Sequence, residues 1–348
     1  MNAAKPAGSA LEQHAAWTGK RVPAVEQVRP GLWSVPTVIP DNPLRYVIAY
    51  VVELDDGIAL IDTGWVDYRS WESLQAGIAA TGHSAADVRY ILLTHSHIDH
   101  HGLSARVKAA SGAQIGMHTD EYAALRDIRV SSRHDDAKGW LTARGADQDF
   151  LTGLAGRHAF ADAQDSLIAP DFFIPDGSHP LPGRPDITAI WTPGHTQGHL
   201  CFHFESDRVL VSGDHVLPRI TPHISRAPMF DDDAVGSYLG SLAAIGKVDV
   251  DEVLPAHEYR FVDLSARVAD LLDHHRVRLD EIEGAVANGA QSTWDVAQVI
   301  SWSRGWNGTQ GMMRHTAVSE TYTHLRHLER TGRLQRTPSG VDSWMPRD

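Results

Sequence analysis

The run Tyr90-Ile91-Leu92-Leu93 reads as a buried strand, and it is followed at once by Thr94-His95-Ser96-His97-Ile98-Asp99-His100, three imidazoles and one carboxylate within six residues. A chain built this way must end a strand where polar side chains converge. His95 and His97 are two apart and point the same way on an extended segment; Asp99 and His100 come one turn later, where the chain bends into a helix over 102–110. One loop can therefore feed two adjacent metal ions. Imidazole nitrogen and carboxylate oxygen suit zinc first, with iron and manganese sharing the ligand set, whereas a structural zinc site would more often use thiolates. The chain has 21 histidines among 348 residues, so chance can supply a pair. It does not readily supply a cluster of four at a strand end. His274 and His275, among polar neighbours in a helical stretch, are expected to be exposed.

The same arrangement recurs downstream. Ile187 to Trp191 leads into Thr192-Pro193-Gly194-His195-Thr196-Gln197-Gly198-His199, Val209 to Gly213 into Asp214, Val253 to Ala256 into His257, and, upstream, Ile58 to Ile61 into Asp62. Turns at the ends of several strands are how a sheet scaffold assembles a site from residues distant in sequence.

The order Asp62, His95-x-His97-x-Asp99-His100, His195, Asp214, His257 resembles the metallo-β-lactamase superfamily over residues 28 to 262. The resemblance implies an α/β fold, an αββα sandwich of two mixed sheets with helices outside and two divalent metal ions at one edge. By that resemblance His95, His97 and His195 hold the first metal, Asp99, His100 and His257 the second, and Asp214 bridges them. Asp62 then orients a ligand or the bridging water, and Asp99 helps orient the nucleophile or shuttle its proton. Antibiotic-hydrolysing members with two zincs usually carry Cys at the fourth motif, where this chain has Asp214. Its single cysteine, Cys201, lies in the apolar run Leu200-Cys201-Phe202 and reads as a small core residue. True β-lactamase activity is disfavoured.

Length suffices for a full core and two domains. The net charge of −13 offers no general attraction to nucleic acid or an anionic membrane, and one cysteine excludes an intramolecular disulfide framework. No stretch reads as a signal peptide or membrane span, so a cytoplasmic location is the default expectation. Residues 1–27 are expected to be a loosely attached arm and 28–265 the catalytic domain. Within it, 119–186 is a helical cap insertion, with Tyr122, Leu125 and Ile128, then Trp140 and Leu141, then Phe150, Leu151 and Leu154 as its apolar positions. Residues 266–348 are expected to give helices at 265–286, after the capping box Ser292-Thr293-Trp294-Asp295, and from Thr316 to Gly332. A hairpin turning at Pro338-Ser339-Gly340 follows. Helices followed by a hairpin resemble a winged-helix module found in one branch of the superfamily. Arg314, Arg326, Arg330, Arg333 and Arg336 lie on it, but no dense basic stripe does. The module is therefore expected to pack on the catalytic domain, or on a second copy in a homo-oligomer, in preference to binding DNA or RNA.

His215, Arg219 and His223, in the segment after Asp214, are candidates for substrate contact or for structural pairing. A bridging water acidified by two metals would attack an electrophilic carbonyl or phosphorus. The 192–199 and Gly213-Asp214 segments look similar to those of hydroxyacylglutathione hydrolases. Hydrolysis of a small-molecule thioester of the acyl-CoA or glutathione type leads, with a lactone or other ester next. A metal-dependent ribonuclease and a metal-dependent regulatory, nucleic-acid-binding protein are the remaining readings.

Overall fold

The computed structural model describes residues 3–132, 137–153, 167–224, 233–337 and 340–347, with backbone alone for 127–132. Leu154, the Ile128 side chain and the Pro338-Ser339 turn lie outside the described residues.

The chain begins with α1 (Leu11–Thr18), then lays down β1 (Glu26–Arg29), β2 (Leu32–Val38), β3 (Tyr46–Leu54) and β4 (Gly57–Ile61) as an antiparallel meander. Helix α2 (Tyr68–Ala80) crosses to β5 (Val88–Leu92). The short α3 (Ile98–His101) and α4 (Ser104–Ser111) lead to β6 (Gln114–Met117). After α5 (Thr119–Ser132), α6 (Ala137–Thr142) and α7 (Gln148–Gly153), β7 (Phe172–Phe173) completes a seven-stranded sheet whose β4 to β7 run parallel. A second sheet, ordered β11-β10-β9-β8, consists of β8 (Ile187–Trp191), β9 (Leu200–Phe204), β10 (Val209–Gly213) and β11 (Glu252–Pro255), with α8 (Ala234–Ile245) before β11. The chain ends in α9 (Leu264–Ala287), α10 (Thr293–Val299), α11 (Gly305–Gly308), α12 (Met312–Arg330) and the hairpin β12 (Leu334–Thr337) and β13 (Ser343–Pro346).

The side-chain period of two sorts residues between layers. From β3, Tyr46, Ile48, Tyr50 and Val52 face the second sheet and meet Leu200, Phe202, Phe204 and Val211. Ala49 and Val51, on its other face, pack with Leu60 against Leu74 and Ile78 of α2 and Val107 of α4. Behind the second sheet, Cys201, Leu210 and Val253 meet Tyr238 and Leu242 of α8 and Val268 and Leu271 of α9. Strands buried on both faces explain the unbroken apolar runs in the sequence. Each fully buried Leu, Ile or Phe contributes about 1.5–3 kcal/mol. The result is the four-layered αββα arrangement. Cys201 is a core residue, and burial pushes its thiol up to about 12.

Three expectations need correction. The expected loose arm of residues 1–27 is, over its described residues 3–27, fastened to the domain: Gln13, wholly buried on α1, donates to Ser34 Oγ and accepts from the Arg260 N–H, and Arg260 pairs with Glu26 and Glu252. The 119–186 segment is not wholly helical, since β7 extends the first sheet, and its helices α6 and α7 do not stand alone. Leu141 and Leu151 share a core with Trp294, Ala297 and Val318 of the C-terminal helices. His275 is buried, because Leu271, His275 and Leu279 form one stripe of α9, and α12 covers it; His274 is half-buried.

Candidate metal centre

Loops that follow strand ends deliver the site, with Asp99 and His100 carried on the short α3 after β5. At the end of β4, Asp62 takes the left-handed backbone conformation (φ +60°), sparsely populated for residues other than Gly and more accessible to Asp than to most. Its Oδ1 accepts from the Thr94 N–H (2.9 Å) and its Oδ2 from the Thr94 hydroxyl (2.8 Å), locking the start of the histidine loop to the neighbouring strand. Asp62 Oδ2 is also 2.8 Å from His100 Nδ1. That contact turns His100 Nε2 toward the cluster.

The donor atoms fall into two adjoining groups. His95 Nε2 lies 2.9 Å, and His195 Nε2 3.1 Å, from His97 Nδ1. On the other side, His257 Nε2 is 3.4 Å from Asp99 Oδ2, and His100 Nε2 is 3.8 Å from Asp99 Oδ1. Asp214, at the end of β10, stands between them: Oδ1 is 3.4 Å from His257 Nε2 and 3.6 Å from His100 Nε2, and Oδ2 is 3.7 Å from His195 Nε2. His95, His195 and His257 direct Nδ1 to Thr94 Oγ1, the His223 carbonyl and the Tyr46 carbonyl respectively, so each presents Nε2 inward.

This donor set fits metal ions. His100 Nε2 and Asp214 Oδ1 are buried without a hydrogen-bond partner, an arrangement that costs about 1–3 kcal/mol per atom or more unless a cation meets them. Two ligands of one tetrahedral zinc, each about 2.0–2.1 Å from the ion, stand about 3.3–3.4 Å apart. The separations here, from 2.9 to 3.8 Å, bracket that value. The electrostatics of the two sides differ. Burial pushes His95 and His97 below the ordinary imidazole range and His195 down to about 3, which leaves lone pairs free to bind a cation. Burial acts the same way on His257, but the Asp214 and Asp99 carboxylates outweigh it and hold His257 up at about 10. His100 is likewise raised, and both carboxylates are held below their usual range by the imidazoles they face. A cation entering that side displaces protons.

Two supporting residues escape sequence reasoning. His199 stands inside the 192–199 motif with no role assigned to it; its Nδ1 is 2.8 Å from Thr192 Oγ1, and its Nε2 accepts from the Asp214 N–H at 3.2 Å. It therefore braces the loop that presents Asp214. Glu121 reads only as one polar residue of a helical stretch, yet it is buried and bonded to Ser96, Thr196 and Gly198. A single sequence carries no local signal for either contact.

The three substrate-contact candidates divide. His215 is fully buried with its ring edge-on to Tyr238, behind Asp214, where substrate has no access. Arg219 is exposed, but its guanidinium lies 4.5 Å from the Trp17 ring centroid and so packs on α1. Only His223 touches the cluster, through the carbonyl that accepts from His195 at 2.7 Å, while its Nδ1 lies 3.3 Å from Glu320 on α12.

Comparison with known proteins agrees with this geometry. A crystal structure described as a metallo-beta-lactamase family protein from Thermus thermophilus superposes with a TM-score of 0.76 at 24% identity, covering 92% of this chain and 100% of that one. A probable metallo-hydrolase of Bacillus subtilis is 26% identical over 292 residues, 81% of this chain and 88% of that protein. A hydroxyacylglutathione hydrolase of Francisella tularensis subsp. novicida is 30% identical over 150 residues, covering 43% of this chain and 56% of that protein. Residues 43–257 match the model of the metallo-beta-lactamase superfamily, more than half of the sequence, and the chain therefore belongs to that superfamily.

Proposed function

We propose that this protein is a hydrolase with a two-metal centre that cleaves a thioester of the acyl-CoA or glutathione type, or a closely related ester. The observation that carries the reading is Asp214: a carboxylate with one oxygen toward each donor group can serve two ions together. The partial likeness to a hydroxyacylglutathione hydrolase supports the thioester over other electrophiles. His95, His97 and His195 would hold one ion and Asp99, His100 and His257 the other, with zinc the first choice. Bound there, two divalent ions supply Lewis acidity and bring the pKa of water from near 16 toward about 7. Asp62 holds the His100 ring in the tautomer that presents Nε2. Asp99, part-exposed at the cluster, is the group able to orient the attacking water and pass its proton toward the leaving thiolate.

The C-terminal helices and hairpin fit a winged-helix-like module whose role is packing. Its arginines are engaged: Arg333 with Asp280 and Glu283, Arg336 with Asp342 and Glu329, Arg326 with Glu329, and Arg314 against Trp306. Cations held this way favour a small-molecule substrate over nucleic acid. The test is elemental analysis for metal, paired on the same sample with turnover of acyl-CoA and acyl-glutathione thioesters, lactones and a short RNA. Two metals per chain with chelator-sensitive thioester cleavage is the expected result. Cleavage of RNA alone, with affinity falling steeply as salt rises, would replace the substrate assignment.

A further inference from the structure

One carboxylate outside the donor set touches both loops that carry the three-histidine group. Glu121 lies in the first turn of α5 and is 1% exposed. Its Oε1 accepts from the Ser96 N–H (2.7 Å) and the Ser96 hydroxyl (2.7 Å). Its Oε2 accepts from the Thr196 hydroxyl (2.7 Å) and the Gly198 N–H (2.9 Å). Ser96 separates His95 from His97, and Thr196 follows His195. The side chain therefore joins two loops that belong to different sheets. The approach is close enough that a Cβ at position 198 would stand 2.2 Å from the Glu121 nitrogen, so glycine there is a condition of the contact.

We propose that Glu121 is a positioning residue for the metal centre: it sets the spacing between the His95-His97 loop and His195, and with it the affinity and geometry of the ion those three imidazoles hold. The inference rests on the two-metal reading above. Hydrogen bonds to a buried carboxylate are short and strong, and here four donors converge on two oxygens. Each oxygen already accepts from two donors, so Glu121→Gln cannot be absorbed by flipping the amide. Whichever oxygen becomes NH2 then faces donors on one loop, and that loop is released. Aspartate is one methylene too short to reach both.

The test uses the full chain, stripped of metal and reloaded with Zn2+ in competition titrations and with Co2+ for its visible absorption, in wild type, E121Q, S96A and T196V. E121Q is expected to bind one of its two ions at least about 10-fold more weakly, with altered Co2+ bands, while the second ion is retained; outer partners of ligands typically contribute 10–100-fold. S96A and T196V each remove one bond and should show smaller shifts in the same direction. A folded E121Q with wild-type affinities and Co2+ spectrum would overturn the proposal. Should E121Q fail to fold, T196V carries the test, because it keeps the carboxylate and the side-chain volume, and unchanged binding in it would be equally decisive. Wild type taking up neither metal would overturn the two-metal reading, and this inference with it.

Discussion

Asp214 and Asp62 sit 2.8 to 3.7 Å from histidines of the same cluster, yet their loss should read out differently. Asp214→Ala removes the carboxylate facing both donor groups. Metal content is expected to fall below two per chain and turnover to become undetectable, and His97→Ala should behave alike. Both measurements come from the same purified samples, and two retained metals with full rate in both variants would refute the site. Asp62→Ala touches no donor atom of the cluster directly. It frees the Thr94 N–H and the His100 ring, so metal affinity should drop about 10- to 100-fold with stoichiometry preserved at saturating metal. At this scale the sequence was legible where spacing is local: His95, His97, Asp99 and His100 share one loop, and their proximity follows from the chain itself. Asp214 and His257 were legible through the strand-like runs before them. Glu121 and His199 were not, because a partner distant in sequence leaves no mark on the residues beside it. Arg219 shows the opposite failure, a cation placed at the mouth of the site by its position in the chain and drawn away by the Trp17 face.

Among the elements, strands were the readable ones, since runs buried on both faces are nearly all apolar, and the capping box Ser292 to Asp295 starts α10 as its residues dictate. Helix α1 was missed as an anchor because its fastenings lie far away in sequence: the amide of Gln13 on Ser34 and the Arg260 N–H, and the Trp17 ring against Tyr259 and the core. Gln13→Ala should leave the Arg260 N–H and Ser34 unpaired in the interior and lower stability by about 1–3 kcal/mol, read as a shift in urea midpoint with metal content unchanged. The packing of α9 on α12 supplies a pH dependence. His275 Nδ1 and His324 Nε2 meet at 3.1 Å, and burial pushes His275 down to about 3 and His324 down to about 4, from an ordinary value of 6.5. Both rings stay neutral in the folded protein while the unfolded chain takes up protons below 6.5. Their contribution is therefore whole above that value and is lost as pH falls, at about 1.4 kcal/mol per pH unit for each ring. Between pH 7 and 5 the urea midpoint of wild type should fall further than that of His275→Leu, since the metal centre is common to both.

At the scale of the whole molecule, helices α6 and α7 of the insertion and the C-terminal helices are one packed body. Trp140 of α6 lies 5.8 Å from the Tyr322 ring of α12, Phe150 of α7 lies 5.2 Å from Trp294 of α10, and Arg144 sits over both Trp140 and Tyr322. Sequence periodicity identified helices in both segments but not their pairing, since an amphipathic face specifies that a partner exists and not which one. The same body reaches the metal centre, as Glu320 of α12 faces His223, whose carbonyl accepts from His195. Removing residues 266–348 should therefore do more than shorten the protein. It strips the cover from Leu141, Leu151, Leu242 and Cys201, and it frees the loop that orients His195. The truncated chain is expected to aggregate or to unfold at markedly lower temperature, and any soluble fraction should bind the ion of the three-histidine group more weakly. Glu320→Gln separates the two effects, because it keeps the apolar contacts and weakens the pairing with His223. Unfolding close to that of wild type with a changed KM or metal affinity would assign the coupling to that contact, whereas a truncated protein that remains monodisperse and fully active would show the C-terminal body to be dispensable to the site.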